Sequence, residues 1–121
     1  MDTYVDGFVI PVPKDGIDAY RAIAEKASAI WIEHGALDYR ESILDDGDAK
    51  EMVSFSTLAG AKENETVVFA WITYKSREDR DAVNAKVMSD PRLTCDMGDG
   101  CPFDYKRMAY GGFNIIVKAN A

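Results

Sequence analysis

Thr66-Val67-Val68-Phe69-Ala70-Trp71-Ile72-Thr73-Tyr74 reads as a β-strand, and its side chains decide the architecture. β-Branched and aromatic residues dominate it, as a pleated and packed surface favours. Neither parity is polar: Val67, Phe69 and Trp71 oppose Val68, Ala70 and Ile72. A strand covered on one face alternates apolar with polar residues, so this strand needs cover on both.

Working outward, Tyr4 to Pro13 makes a second such strand, with Phe8, Ile10 and Val12 on one parity and Val5 and Val9 on the other. Pro11 and Pro13 cannot donate to a ladder and mark its end. Asp15 then caps a helix, with Asp18 as its capping-box partner. Tyr20, Ile23, Ala24, Ala27, Ile30, Trp31 and His34 follow at helical spacing, and Gly35 supplies the left-handed stop. Ala36 to Leu44 is a more polar strand, suited to a sheet edge. Met52 to Leu58 reads as a short extended piece. On the far side of the opening strand, Ser76 and Asp79 form a capping box for a helix from Arg77 to Met88, closed by Asp90-Pro91. A last strand runs from about Lys106 to Lys118, with Gly111-Gly112 predicting a bulge or bend.

The order β-α-β-β-α-β predicts a ferredoxin-like α+β domain over residues 1–121: two helices on a four-stranded antiparallel sheet. Helices cover only one sheet face in that layout, and no sequence is left over for the other. A second copy of the chain, packed sheet against sheet, is the economical cover, so a homodimer is expected.

Composition bounds what such a domain does. The chain has 121 residues, 47% of them apolar and 29% charged, ordinary for a folded globular domain. Fourteen Lys and Arg against 21 Asp and Glu leave a net charge of -7, which disfavours a nucleic-acid partner. No apolar run approaches the ~20 residues of a membrane helix. Met1-Asp2-Thr3-Tyr4 lacks the basic and apolar regions of a signal peptide, and a cytoplasmic protein is expected. Cys95 and Cys101 flank a Gly/Asp-rich stretch and are read as plain thiols.

Several blocks carry a family resemblance. They include Tyr4-Val5-Asp6-Gly7-Phe8, Glu33-His34-Gly35-Ala36-Leu37 and Glu65-Thr66-Val67-Val68-Phe69-Ala70-Trp71. Val87-Met88-Ser89-Asp90-Pro91-Arg92 and Pro102-Phe103-Asp104-Tyr105-Lys106-Arg107-Met108-Ala109-Tyr110-Gly111-Gly112-Phe113 continue the series. In this order they resemble the YbaA-like family of uncharacterised bacterial proteins. That family is similar in fold to the dimeric α+β barrels, in which two ferredoxin-like subunits close their sheets face to face. The resemblance implies fold and oligomer; the family has no established reaction, so it implies no catalytic residue.

Candidate site residues come from the chain itself. His34 is the single histidine, read either as a base facing a pocket or as a helix-end cap. Asp6 interrupts an apolar strand, and a buried carboxylate needs a partner; Arg107 on the neighbouring strand is the expected one. Trp31, Tyr39, Trp71 and Tyr110 are the candidate walls of a ligand cavity, or else ordinary core. Arg92 is a minority candidate for an anion clamp. With one histidine, neither a zinc site nor a haem ligand set is expected, and no cofactor is predicted. Three readings follow: a module binding a small hydrophobic molecule, a small cofactor-independent enzyme of monooxygenase or isomerase type, and a structural dimer whose own aromatics fill the cavity.

Overall fold

A computed structural model of the chain describes residues 2–93 and 104–121. Strand β1 (Tyr4–Pro13) leads through a single turn of 3-10 helix, Lys14–Gly16, into helix α1 (Ile17–Glu33). Strand β2 (Asp38–Ile43) and a short helix α2 (Phe55–Ala59) precede strand β3 (Glu65–Tyr74). Helix α3 (Arg77–Met88) and strand β4 (Ala109–Asn114) complete the fold. The sheet order is β2-β3-β1-β4, with every neighbouring pair antiparallel. This is the expected ferredoxin-like α+β sheet, with the polar β2 at an edge. Among the described residues no helix is long and apolar enough to cross a membrane.

Period two along the strands sorts side chains onto the two faces. Tyr4, Ile10, Val12, Val68, Ala70, Ile72 and Tyr74 share one parity and are buried under α1 and α3. They form two core clusters, one with Ile30, Val83 and Val87, the other with Tyr20 and Ala24. Phe8 packs against both.

Four local expectations are corrected. Asp15 lies in the 3-10 turn, and Gly16 precedes α1 with no side-chain cap. Met52 to Leu58 is not extended: Ser54 caps α2, its hydroxyl accepting from the Thr57 N–H at 3.1 Å. That helix lies on the second sheet face, with Phe55 6.0 Å from Phe69 ring to ring, and the Pro11–Val67 end beneath it is buried. The chain thus supplies part of the second cover itself. Finally, β4 is shorter than expected, and its register runs unbroken from Val9↔Ala109 to Tyr4↔Asn114, with no bulge. Gly112 serves a different purpose, because a Cβ there would collide with the Tyr4 ring and stand 3.0 Å from Arg80 Nη1.

Two helix boundaries fall where the sequence predicts them. Ser76 Oγ accepts from the Asp79 N–H at 3.1 Å to open α3. Gly35 ends α1 with φ 121°, a conformation that costs an L side chain.

Candidate functional site

Small side chains make the space at the centre of the molecule. Ala24 and Ala27 face inward from α1, and Ala70 faces them from the middle of β3; all three are buried. Larger residues at those positions would have joined the two core clusters. Instead a cavity of about 290 Å³ lies between sheet and helices. That is near the lower end of the range used by small-molecule sites. Its floor follows two rows across the sheet. One is Glu41, Ala70, Phe8 and Tyr110; the other is Tyr39, Ile72, Asp6 and Gly112. Trp31 of α1 and Asn84 and Met88 of α3 border it from the helix side.

Two polar clusters sit in this apolar frame. The first is Asp6, 1% exposed, whose Oδ1 accepts from Arg80 Nη1 at 2.8 Å. The same nitrogen donates to the Tyr110 hydroxyl at 2.8 Å, and the guanidinium lies 5.1 Å from the Tyr4 ring centre. Burial raises the Asp6 pKa, opposed by the Arg80 charge and by hydrogen bonds from Tyr110 and Arg80. Burial, then the Asp6 charge, likewise raises the Tyr110 phenol. The space left by Gly112 is what admits Tyr4 and Arg80 to this arrangement.

The second cluster is Glu41. Its Oε1 accepts from the Tyr20 hydroxyl at 2.5 Å and its Oε2 from the Tyr39 hydroxyl at 2.7 Å. Burial and then the Glu41 charge push both phenols well above the usual tyrosine range, so they remain protonated donors. Trp31 Nε1 is committed to the Tyr74 hydroxyl at 3.1 Å and to Asn84 Oδ1 at 3.3 Å.

Of the residues singled out in the sequence, Asp6, Trp31, Tyr39 and Tyr110 line this cavity together. Trp71 does not: it stands opposite Gly7 on the other sheet face. The expected Asp6–Arg107 pair is absent. Arg107 binds Glu65 at 2.8 and 2.9 Å and the Gly60 carbonyl at 2.6 Å. The register explains this, since Glu65 lies opposite Pro13 and Asp6 opposite Ile72. Seven residues of strand separate those levels, roughly 23 Å.

His34 lies outside the cavity lining, at the end of α1, with its N–H on the Ile30 carbonyl and its Nε2 2.8 Å from Asp90 Oδ2. Arg92 holds the same Asp90 and also Glu33, so its guanidinium is engaged by carboxylates. Glu33, His34 and Asp90 converge closely enough to hold a metal ion, but Arg92 already supplies a positive charge to both carboxylates. Bonds from Arg92, then from His34, keep the Asp90 carboxyl far below its ordinary range. Cys95 and Cys101 lie outside the described residues.

Sequence reasoning passed over Glu41, Arg80 and Asn84. The signals were present: Glu41 shares parity with Tyr39 and Ile43, and Arg80 stands three and seven residues before Val83 and Val87 on one helix stripe.

Known proteins place this geometry in context. The uncharacterized protein YbaA of Escherichia coli K12 is 50% identical over 114 residues, covering 94% of this chain and 97% of that one. YbaA of Shigella flexneri matches to the same extent. A crystal structure of a dimeric ferredoxin-like protein from an uncultured marine organism superposes with a TM-score of 0.59 at 12% identity, over 98% of this chain and 100% of that one. The sequence profile of the proteins of unknown function called DUF1428 matches residues 3–105, and with half its residues shared with YbaA the chain belongs to that family.

Proposed function

We propose that the protein is a single-domain homodimer that binds a small hydrophobic molecule in the cavity between sheet and helices. One observation carries the binding reading: the core is divided around about 290 Å³ of space, with Asp6, Glu41, Tyr20, Tyr39 and Tyr110 on its walls. Such a mixture of apolar wall and a few placed polar groups suits ligand recognition. For the dimer, the support is the apolar second face, where Phe69 is 43% exposed and Phe113 58%. The fold-related marine protein is itself described as dimeric. A cytoplasmic location accords with the acidic composition and belongs to the same reading.

A second reading, a cofactor-independent enzyme of monooxygenase or isomerase type, is favoured by one feature. Asp6 lines the cavity with its pKa raised by burial, the setting in which carboxylates act as general acids or bases.

Native mass spectrometry of freshly purified protein, stepped from gentle to harsh activation, tests the proposal. A dimer that releases a small mass is the expected result. A bare dimer that also fails to take up a hydrophobic dye would remove the binding reading, and a monomer at micromolar concentration would remove the dimer.

A further inference from the structure

Among the described residues the charges facing the cavity do not balance. Among the described lining residues the ionisable acids are Asp6 and Glu41, and no Lys, Arg or His lines the space. Asp6 is matched by Arg80 at 2.8 Å. Glu41 forms no ion pair with any lysine or arginine among the described residues; its two contacts are phenols. A carboxylate has room for about four hydrogen bonds, so each Glu41 oxygen keeps accepting capacity after Tyr20 and Tyr39 are served.

From this imbalance, and resting on the binding reading above, we infer that the ligand is an amphiphilic organic cation, an apolar body bearing a protonated amine. The ammonium binds Glu41, and the body lies along Phe8, Ile72 and Trp31. The wall beside Glu41 is aromatic as well: Tyr39, on the same strand, packs on Trp31 with ring centres 6.0 Å apart, and such rings attract cations. An anion would meet Glu41 as a like charge. A neutral molecule would leave the carboxylate without a counter-charge.

Glu41 also stands where a cationic head can keep part of its hydration. Tyr20, Ala24, Tyr39 and Glu41 are shared between the cavity and an outer groove of about 280 Å³ along α1 and β2. The further charges of that groove, Arg21 and Glu25, are opposite in sign. A head group at this wall avoids the full desolvation that a deeply buried ion suffers.

Calorimetric titration of the wild-type dimer with three matched probes tests the inference: phenylpropylamine, phenylpropanol and phenylpropionate. The amine is expected to bind at least about tenfold more tightly than the alcohol, with the carboxylate weakest. Glu41→Gln, confirmed folded by its thermal transition, is expected to bring amine and alcohol to similar affinity. If amine and alcohol bind the wild-type protein equally, or the carboxylate binds best, the cation inference is overturned while the binding reading stands. If none of the three binds and a hydrophobic dye is not taken up either, the binding reading itself falls. Should Glu41→Gln not fold, the wild-type ranking of the probes alone decides.

Discussion

The two faces of the sheet use the same central strands and meet opposite fates. On the helix side Tyr4, Ile10, Val12, Val68, Ala70, Ile72 and Tyr74 are each at most 5% exposed. One residue along in register, Phe69 is 43% exposed and Phe113 58%, although both are large and apolar. The helix side carries two carboxylates, Asp6 held by Arg80 and Glu41 by the Tyr20 and Tyr39 phenols. The other face exposes Phe69 and Phe113 beside the polar Arg40 and Ser42 of the edge strand, and α2 shelters its Pro11–Val67 end. Hydrogen-bonded carboxylates inside and exposed aromatic rings outside teach one lesson. The chain completes its own core on one face and leaves much of the other uncovered, which is the face assigned to the proposed dimer.

Four substitutions probe that contrast. The largest loss is expected on the helix side: Tyr74→Ala removes a fully buried ring that also accepts from Trp31 and should cost about 4 kcal/mol in chemical denaturation. A loss near zero would mean that this face is not the core. Next comes Arg80→Met, which strands the Asp6 carboxylate and should cost about 3 kcal/mol, with partial recovery in the Asp6→Asn, Arg80→Met double variant. Additive losses would show the two residues to be uncoupled.

On the exposed face the readout changes from stability to assembly. Phe113→Glu should weaken the proposed dimer by about a hundredfold in sedimentation equilibrium while the circular dichroism spectrum stays native, because the ring rests mainly over Gly7 and Gly111. An unchanged dimer would place the interface elsewhere.

The smallest effect concerns the sheet end. Arg107 bonds first, then the Lys62 N–H, hold the Glu65 carboxyl down to about 2 from an ordinary 4.5. A carboxylate depressed in the folded state adds stability above its unfolded pKa and loses it as pH falls through the folded one. Arg107→Gln should therefore lower Tm by a few degrees at neutral pH, and the gap to wild type should close between about pH 4.5 and about pH 2. A gap independent of pH would assign Arg107 a purely packing role.

Much of this was legible in advance. β1 spans the residues read for it, α3 runs from Arg77 to Met88 as the Ser76 cap and Asp90-Pro91 demand, and Asp6 stood out as a carboxylate in an apolar strand. Such features are written within a few neighbouring residues: side-chain alternation, helical spacing and caps. α2 escaped because five residues carry too little periodicity to outweigh the extended reading, although Ser54 and Gly60 bracket it. Glu41 escaped because a polar strand was read as an exposed edge. Edge position governs backbone pairing, whereas parity decides which side chains turn inward.

The amino-acid sequence by itself determined the four strands and two long helices, their order and the doubly apolar centre of the sheet, since each rests on local spacing and on the demand that apolar surface be covered. Only the tertiary structure decided which charge meets which. Asp6 finds Arg80 from 74 residues away, and Arg107 turns to Glu65 instead. Those choices follow from strand register and helix placement, and a shift of a few residues along a strand moves a side chain beyond the reach of any hydrogen bond.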